Sequence, residues 1–176
     1  MKYLLFLFLS FLLLSCDQDQ KKEPTPKPVN LAEIPFDTPR LTLVGNAASV
    51  TSSWEEYTAF QTAFENYDHS LEATGRLALA VKNMRDNLRP EFENQPIRSR
   101  LLVLESRVKS YESFLQYTTK TADQYEDYFN AIVTAQDNLT AQLNEKFEFE
   151  RIEQELIEEL KTDLRDLNAV PSDSLR

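Results

Sequence analysis

One cysteine, two glycines and one histidine in 176 residues set the first limits on this chain. The single cysteine, Cys16, excludes an internal disulfide, so any fold must hold by packing alone. The single histidine, His69, excludes a carboxylate-bridged di-iron bundle, which takes Glu-x-x-His from each of two helices. A Ser-His-Asp arrangement would also depend on His69, and no G-x-S-x-G turn accompanies it. Zinc and haem spacings are absent as well. Carboxylates are plentiful but recur on polar helix faces, where charge runs serve solvation. No catalytic, cofactor or metal residue is therefore assigned; the chain is read as a non-enzyme without a cofactor, and His69 as a surface residue at a helix junction. Gly45 and Gly75 are few where about 7% is usual, and sheet turns consume glycine. Beyond residue 51 only Pro90, Pro96 and Pro171 interrupt the backbone, so the interior is free to be helical. Basic residues are short too: 19 Lys and Arg face 29 Asp and Glu, a net charge of −10, with no basic stripe. Nucleic acid is not an expected partner, because phosphate binding needs clustered cations.

What is present begins at the N-terminus. Lys2 precedes twelve residues, Tyr3 to Leu14, that are apolar except for Ser10, and Ser15 stands before Cys16. A bilayer span takes roughly 20 apolar residues, so this run reads as a cleaved export signal over 1–15. Leu13-Leu14-Ser15-Cys16 resembles the lipobox of bacterial lipoproteins, whose signal is cut before a cysteine that carries a diacylglyceryl group. That resemblance implies a mature chain beginning at lipidated Cys16, attached to the membrane of the cell envelope, the outer rather than the inner one. Asp17 resembles the residue that marks inner-membrane retention in enterobacteria. Cleavage removes Lys2 and leaves 18 basic residues against 29 acidic, a net charge of −11. Lys21, Lys22 and Lys27 are offset by Asp17, Asp19 and Glu23, so attachment rests on the acyl chains, at about 0.8 kcal/mol per buried methylene.

Five of the eight prolines fall between Pro24 and Pro39, which marks residues 16–51 as a proline-rich tether. Leu41-Thr42-Leu43-Val44 is apolar enough either to lie on the folded domain or to remain a loop. Residues 52–167 are expected to form one all-α antiparallel bundle of three to four long helices, followed by a tail, 168–176. Ser53-Trp54-Glu55-Glu56 fits a capping box at the start of helix one. Its inward stripe is Trp54, Tyr57, Phe60, Phe64, Tyr67 and Leu71, continuing through Leu77, Val81, Met84 and Leu88. Asn66 to Ser70 is polar, offers Asp68 or Ser70 as a fresh cap, and predicts a kink or break. Helix two starts near Pro96 with a seam of Ile97, Leu101, Leu104, Val108, Tyr111, Leu115 and Thr118. The same register runs on through Ala122, Tyr125, Phe129, Ile132, Gln136, Leu139 and Leu143, which permits either one rod or a hairpin. Thr118 to Thr121 favours the hairpin, since Thr121-x-x-Gln124 can cap a third helix reaching about Leu167.

Two functional readings follow. Glu145 to Asp166 carries nine acidic and four basic residues around Ile152, Leu156, Leu160 and Leu164, which form an apolar stripe outlasting the partner helices. Either another chain covers this stripe, in self-association or with a protein partner, or the tether or the segment Val170 to Leu175 folds back over it. The leading expectation is a lipid-anchored protein with an interaction or structural role. The alternative is a small apolar ligand held between aromatic helices lined by Trp54, Tyr57, Phe60, Phe64, Tyr111, Tyr125 and Phe129, although such spacing equally describes a packed core. Arg98 and Arg100 stand beside Glu91 and Glu93 as ion-pair candidates. The Pro90 to Leu104 segment gives the domain a similarity to uncharacterised helical lipoproteins of the Bacteroidetes, and Asp173-Ser174-Leu175 resembles the O-glycosylation motif of that group.

Overall fold

Capping side chains, more than glycines, decide where this backbone starts and stops being helical. The computed structural model describes residues 29–169; the signal segment, Cys16 and the tail from 170 lie outside the described residues. Five α-helices follow in order: α1 (Gly45–Thr51), α2 (Glu55–Glu65), α3 (Leu71–Asp86), α4 (Gln95–Leu115) and α5 (Ala122–Ala169). Single 3-10 turns stand at Leu31–Glu33 and Pro90–Phe92, and no strand occurs among the described residues. The expected all-α bundle is what forms.

The break between α2 and α3 falls where the polar run stands. His69 takes a φ of +59°, and the Ser70 hydroxyl accepts from the Ala73 N–H at 3.0 Å to open α3. Asn94 opens α4 by accepting from Ile97 N–H at 2.8 Å, with Pro96 in the first turn. The long seam does not make one rod. At Thr121 the side chain accepts from Gln124 N–H (3.3 Å) while Gln124 Oε1 accepts from Thr121 N–H (3.0 Å), a reciprocal box that starts α5 anew. The capping box expected at Ser53 does not form. α1 ends only two residues earlier, and the Ser53 hydroxyl is drawn to the Val50 carbonyl, leaving Trp54 as an N-cap without a side-chain bond.

α3, α4 and α5 run antiparallel, pairing Arg85 with Glu105, Tyr111 with Phe129, and Phe92 with Phe147. Leu77, Val81, Met84, Ile97, Leu101, Leu104, Val108, Tyr111, Ile132, Leu139 and Leu143 are fully or almost fully buried between them. Each contributes on the order of 1.5–3 kcal/mol by leaving water. Four residues correct the expected stripes, two of them, Thr118 and Ala122, being exposed at the turn between α4 and α5. Leu71 is 47% exposed, because α3 restarts after the break with a new rotation, and Phe114, outside the seam, is completely buried against Tyr125 and Tyr128. Aromatic rings gather at two poles: Trp54, Phe92 and Phe147 at one, and Tyr67, His69, Tyr111, Phe114, Tyr125 and Phe129 at the other.

The tether is shorter than its composition predicts. From Val29 the chain lies on the bundle as a strap, with Ile34 buried and Leu31, Phe36 and Leu43 half-buried, whereas Leu41 and Val44 face water. Three α5 side chains spaced by seven hold it. Asn130 accepts from Asp37 N–H (3.2 Å), Asp137 from Arg40 and Leu41 N–H (3.0 Å each), and Asn144 from Val44 N–H (3.0 Å) while donating to the Thr42 carbonyl (2.9 Å). The repeats match: seven helical residues rise about 10.5 Å, close to three or four residues of extended chain. The strap therefore runs parallel to α5. Gly45, with φ +52°, then turns it into α1, which packs on α5.

Candidate functional site

α5 continues well past the last side chain it buries, Phe147. Every residue from 151 to 167 is exposed, an arm about 25 Å long with no covering element among the described residues. The four residues of the expected stripe all lie here, with Ile152, Leu156, Leu160 and Leu164 between 50% and 60% exposed. Phe149, Ile157 and Leu167 extend it. At 3.6 residues per turn these seven side chains fill an arc centred roughly a third of a turn away from the core-facing line of Phe129, Leu139, Leu143 and Phe147. The stripe is thus a second apolar face and not the end of the core seam. The strap, one expected cover, lies along Asn130 to Asn144 instead. The other, the segment from Val170 to Leu175, is outside the described residues.

Charge keeps the bare arm helical. Arg151 pairs with both Glu148 and Glu155, and Lys161 with Glu158, all at the three- or four-residue spacings that support an isolated helix. Donating hydrogen bonds to Glu148 and Glu155 raises the Arg151 pKa, and accepting from Arg151 lowers that of Glu148. By the 3.6-residue repeat Arg151 and Glu158 lie opposite the apolar arc, and their partners flank them outside it. Glu153, Glu159, Asp163 and Asp166 have no ion-pair partner among the described residues.

His69 is at a helix junction as expected, but it is half-buried and not a freely exposed surface residue. Its ring stacks on Phe36 at 3.7 Å, meets Tyr67 and Phe129 edge-on, and places Nδ1 3.1 Å from the Tyr111 hydroxyl. Burial lowers its pKa to about 4 against a weak opposing pull from Asp68. Burial likewise raises the Tyr67 and Tyr111 hydroxyls above their usual value. The strap is thereby clasped to the bundle through Phe36. Not every carboxylate is solvated either: Glu105 is 2% exposed and held by Arg85 and Lys109. Arg98 pairs with Glu93, as its sequence position predicts.

The aromatic residues considered as a ligand wall pack on one another, Trp54 on Tyr57 and Phe92, and Phe64 on Phe129. A surface groove of about 740 Å³ lies elsewhere, at the root of the arm among Asn46, Pro90, Glu93, Lys146, Phe149 and Glu153. Among the described residues no group of three or more His, Cys, Asp or Glu is placed to hold a metal ion. No described helix is long and apolar enough to cross a membrane. Comparison with protein-family models, with curated proteins and with solved structures finds no match to this chain.

Proposed function

We propose that this chain is a lipid-anchored protein of the cell envelope whose helical bundle is a rigid base for an interaction arm, and that it is not an enzyme. The observation that carries this reading is the arm itself: residues 151–167, all exposed, with one face made of Phe, Ile and Leu. A contiguous apolar face kept in water on a charge-supported helix marks a surface that associates. The partner is a protein, either another chain or a second copy; a net charge of −10 on the whole chain argues against nucleic acid.

The N-terminal sequence supports the anchor. Its lipobox resemblance assigns acylation to Cys16, as in bacterial lipoproteins and the helical Bacteroidetes lipoproteins to which the domain is similar, in the outer rather than the inner membrane. Residues 17–28 then separate the anchor from the strap, a leash of about 40 Å at full extension. The strap is first pinned beside Asn130, and the arm leaves α5 beyond Phe147. The strap thus enters the bundle at the pole opposite the arm.

The test replaces Leu156 and Leu160 together with Gln. Exposed leucines contribute little to folding, so the melting temperature should stay within a few degrees of the parent, while self-association by light scattering or crosslinking to a partner in intact envelopes falls. A large drop in melting temperature with both binding readouts unchanged would place those leucines in a core and remove the arm.

A further inference from the structure

The charges on the arm, read together with its apolar face, specify the occupant. Along 148–167 there are eight acidic residues and three basic ones. Four acids are neutralised, Glu148, Glu155 and Glu158 by Arg151 and Lys161 and Glu150 by Lys146, and none of the four falls within the apolar arc. By the 3.6-residue repeat, of the four without partners among the described residues, Glu153 and Asp163 fall within the arc and Glu159 at its edge, while Asp166 stands on the line of Glu148. Glu155, Glu159 and Asp163 also follow one another at four-residue spacing. Like charges at that spacing oppose helix formation, so the sequence keeps a repulsion that a single Lys would have removed. Two such faces laid together would bring six uncompensated carboxylates into one interface, which disfavours a second copy.

We infer that the arm docks a cationic amphipathic helix of another protein, its leucine-type side chains entering the Phe149 to Leu167 face and its Lys or Arg side chains meeting Glu153, Glu159 and Asp163. This inference rests on the reading of 151–167 as an interaction arm and adds the partner's chemistry to it. The geometry is that of one helix lying along another, with apolar anchors at three- and four-residue spacings and charge at the rim. Association is then steered by charge and weakens with salt.

The test uses the full chain from residue 16 with Cys16→Ala, so that neither acyl chain nor detergent competes. The probe is a synthetic amphipathic helical peptide of leucine and lysine, with a leucine and glutamate peptide of the same pattern as control. The lysine peptide should bind, and Leu156→Gln with Leu160→Gln should abolish binding. Glu153→Gln with Asp163→Asn should weaken it roughly five- to tenfold, as the loss of two opposed charges does. Glu155→Gln with Glu158→Gln removes the same charge from the back of the arm and should change affinity less than about twofold. Equal losses from the two charge pairs would reduce the effect to general acidity and overturn the inference. Equal binding of the glutamate peptide would overturn it while leaving the arm in place, as would arm-dependent dimers that exclude the peptide. If neither peptide binds and the Leu156 and Leu160 variant melts much lower, the chain's own segment covers the stripe, and the arm reading falls with it.

Discussion

At the scale of single residues, His69 shows how much one side chain can join. Its ring is the contact between the strap, through Phe36, and the bundle, through Tyr67, Tyr111 and Phe129. The ionisable groups facing it are the Tyr67 and Tyr111 hydroxyls and the neighbouring Asp68. Its pKa is about 4 in the folded chain against 6.5 when unperturbed, so between those values the unfolded chain binds more protons. Stability from His69 is therefore complete above about pH 6.5 and is lost as the pH falls towards 4. Between pH 7 and pH 5 the loss due to this residue should be about 1–2 kcal/mol, allowing for its partial exposure. His69→Asn keeps a residue tolerant of positive φ but cannot titrate there. Urea unfolding at both pH values should show a smaller acid loss in the variant, and equal losses would mean that the imidazole is not buried neutral. A second residue test concerns the core: Leu104, fully buried, should cost about 2–5 kcal/mol on replacement by Ala, measured by the same unfolding. A loss under about 0.5 kcal/mol would mean that the α4 seam does not face the core.

Elements were legible where one face of a helix does one job. The Ile97 to Tyr111 seam, the Asn66 to Ser70 break and the Thr121 to Gln124 cap all stand in the sequence as spacing or capping chemistry, and all three form. The strap was not legible, and the reason is physical. Asn130, Asp137 and Asn144 do repeat every seven residues, but a polar repeat on a helix ordinarily means solvent. Their partners are backbone N–H groups 93 to 100 residues earlier, in a stretch whose prolines read as linker. Backbone donors carry no sequence signature, so only the fold reveals the match. Ser53 failed for a related reason, since the short α1 before it could not be foreseen from residues 45–51. The stripe at Ile152 to Leu164 was legible as an apolar pattern. That it faces away from the core line became visible only once Phe147 had fixed the direction of the bundle. Asp137 tests the strap directly, because it alone receives two of its amides. Asp137→Ala should lower hydrogen-exchange protection at Arg40 and Leu41 about tenfold, a local change of on the order of 1–2 kcal/mol, without altering the α4 amides. Unchanged protection would mean that burial of Ile34 and Phe36, and not these bonds, holds the strap.

At the scale of the whole molecule, strap direction converts sequence order into orientation. The chain enters the fold at the Tyr111 and Phe129 pole, runs beside α5 in the same direction, and only then joins the bundle. α5 rises about 1.5 Å per residue, so Thr162 on the arm lies roughly 60 Å from Thr119 in the turn at the entry pole. With Cys16 acylated, the leash of about 40 Å is shorter than that separation, and the entry pole stays nearer the bilayer on average. Cys16 is the only cysteine in the chain and acylation consumes its thiol, so one introduced cysteine gives one labelling site. Cys16→Ala should first abolish partition into detergent while leaving the far-UV spectrum unchanged; a variant that still partitions would refute lipidation there. Vesicles carrying acceptor lipid should then quench a dye at Thr119→Cys strongly and one at Thr162→Cys weakly. Equal quenching at both positions would mean that the bundle lies flat on the membrane, with its apolar arm available to lipid and not held out towards a partner.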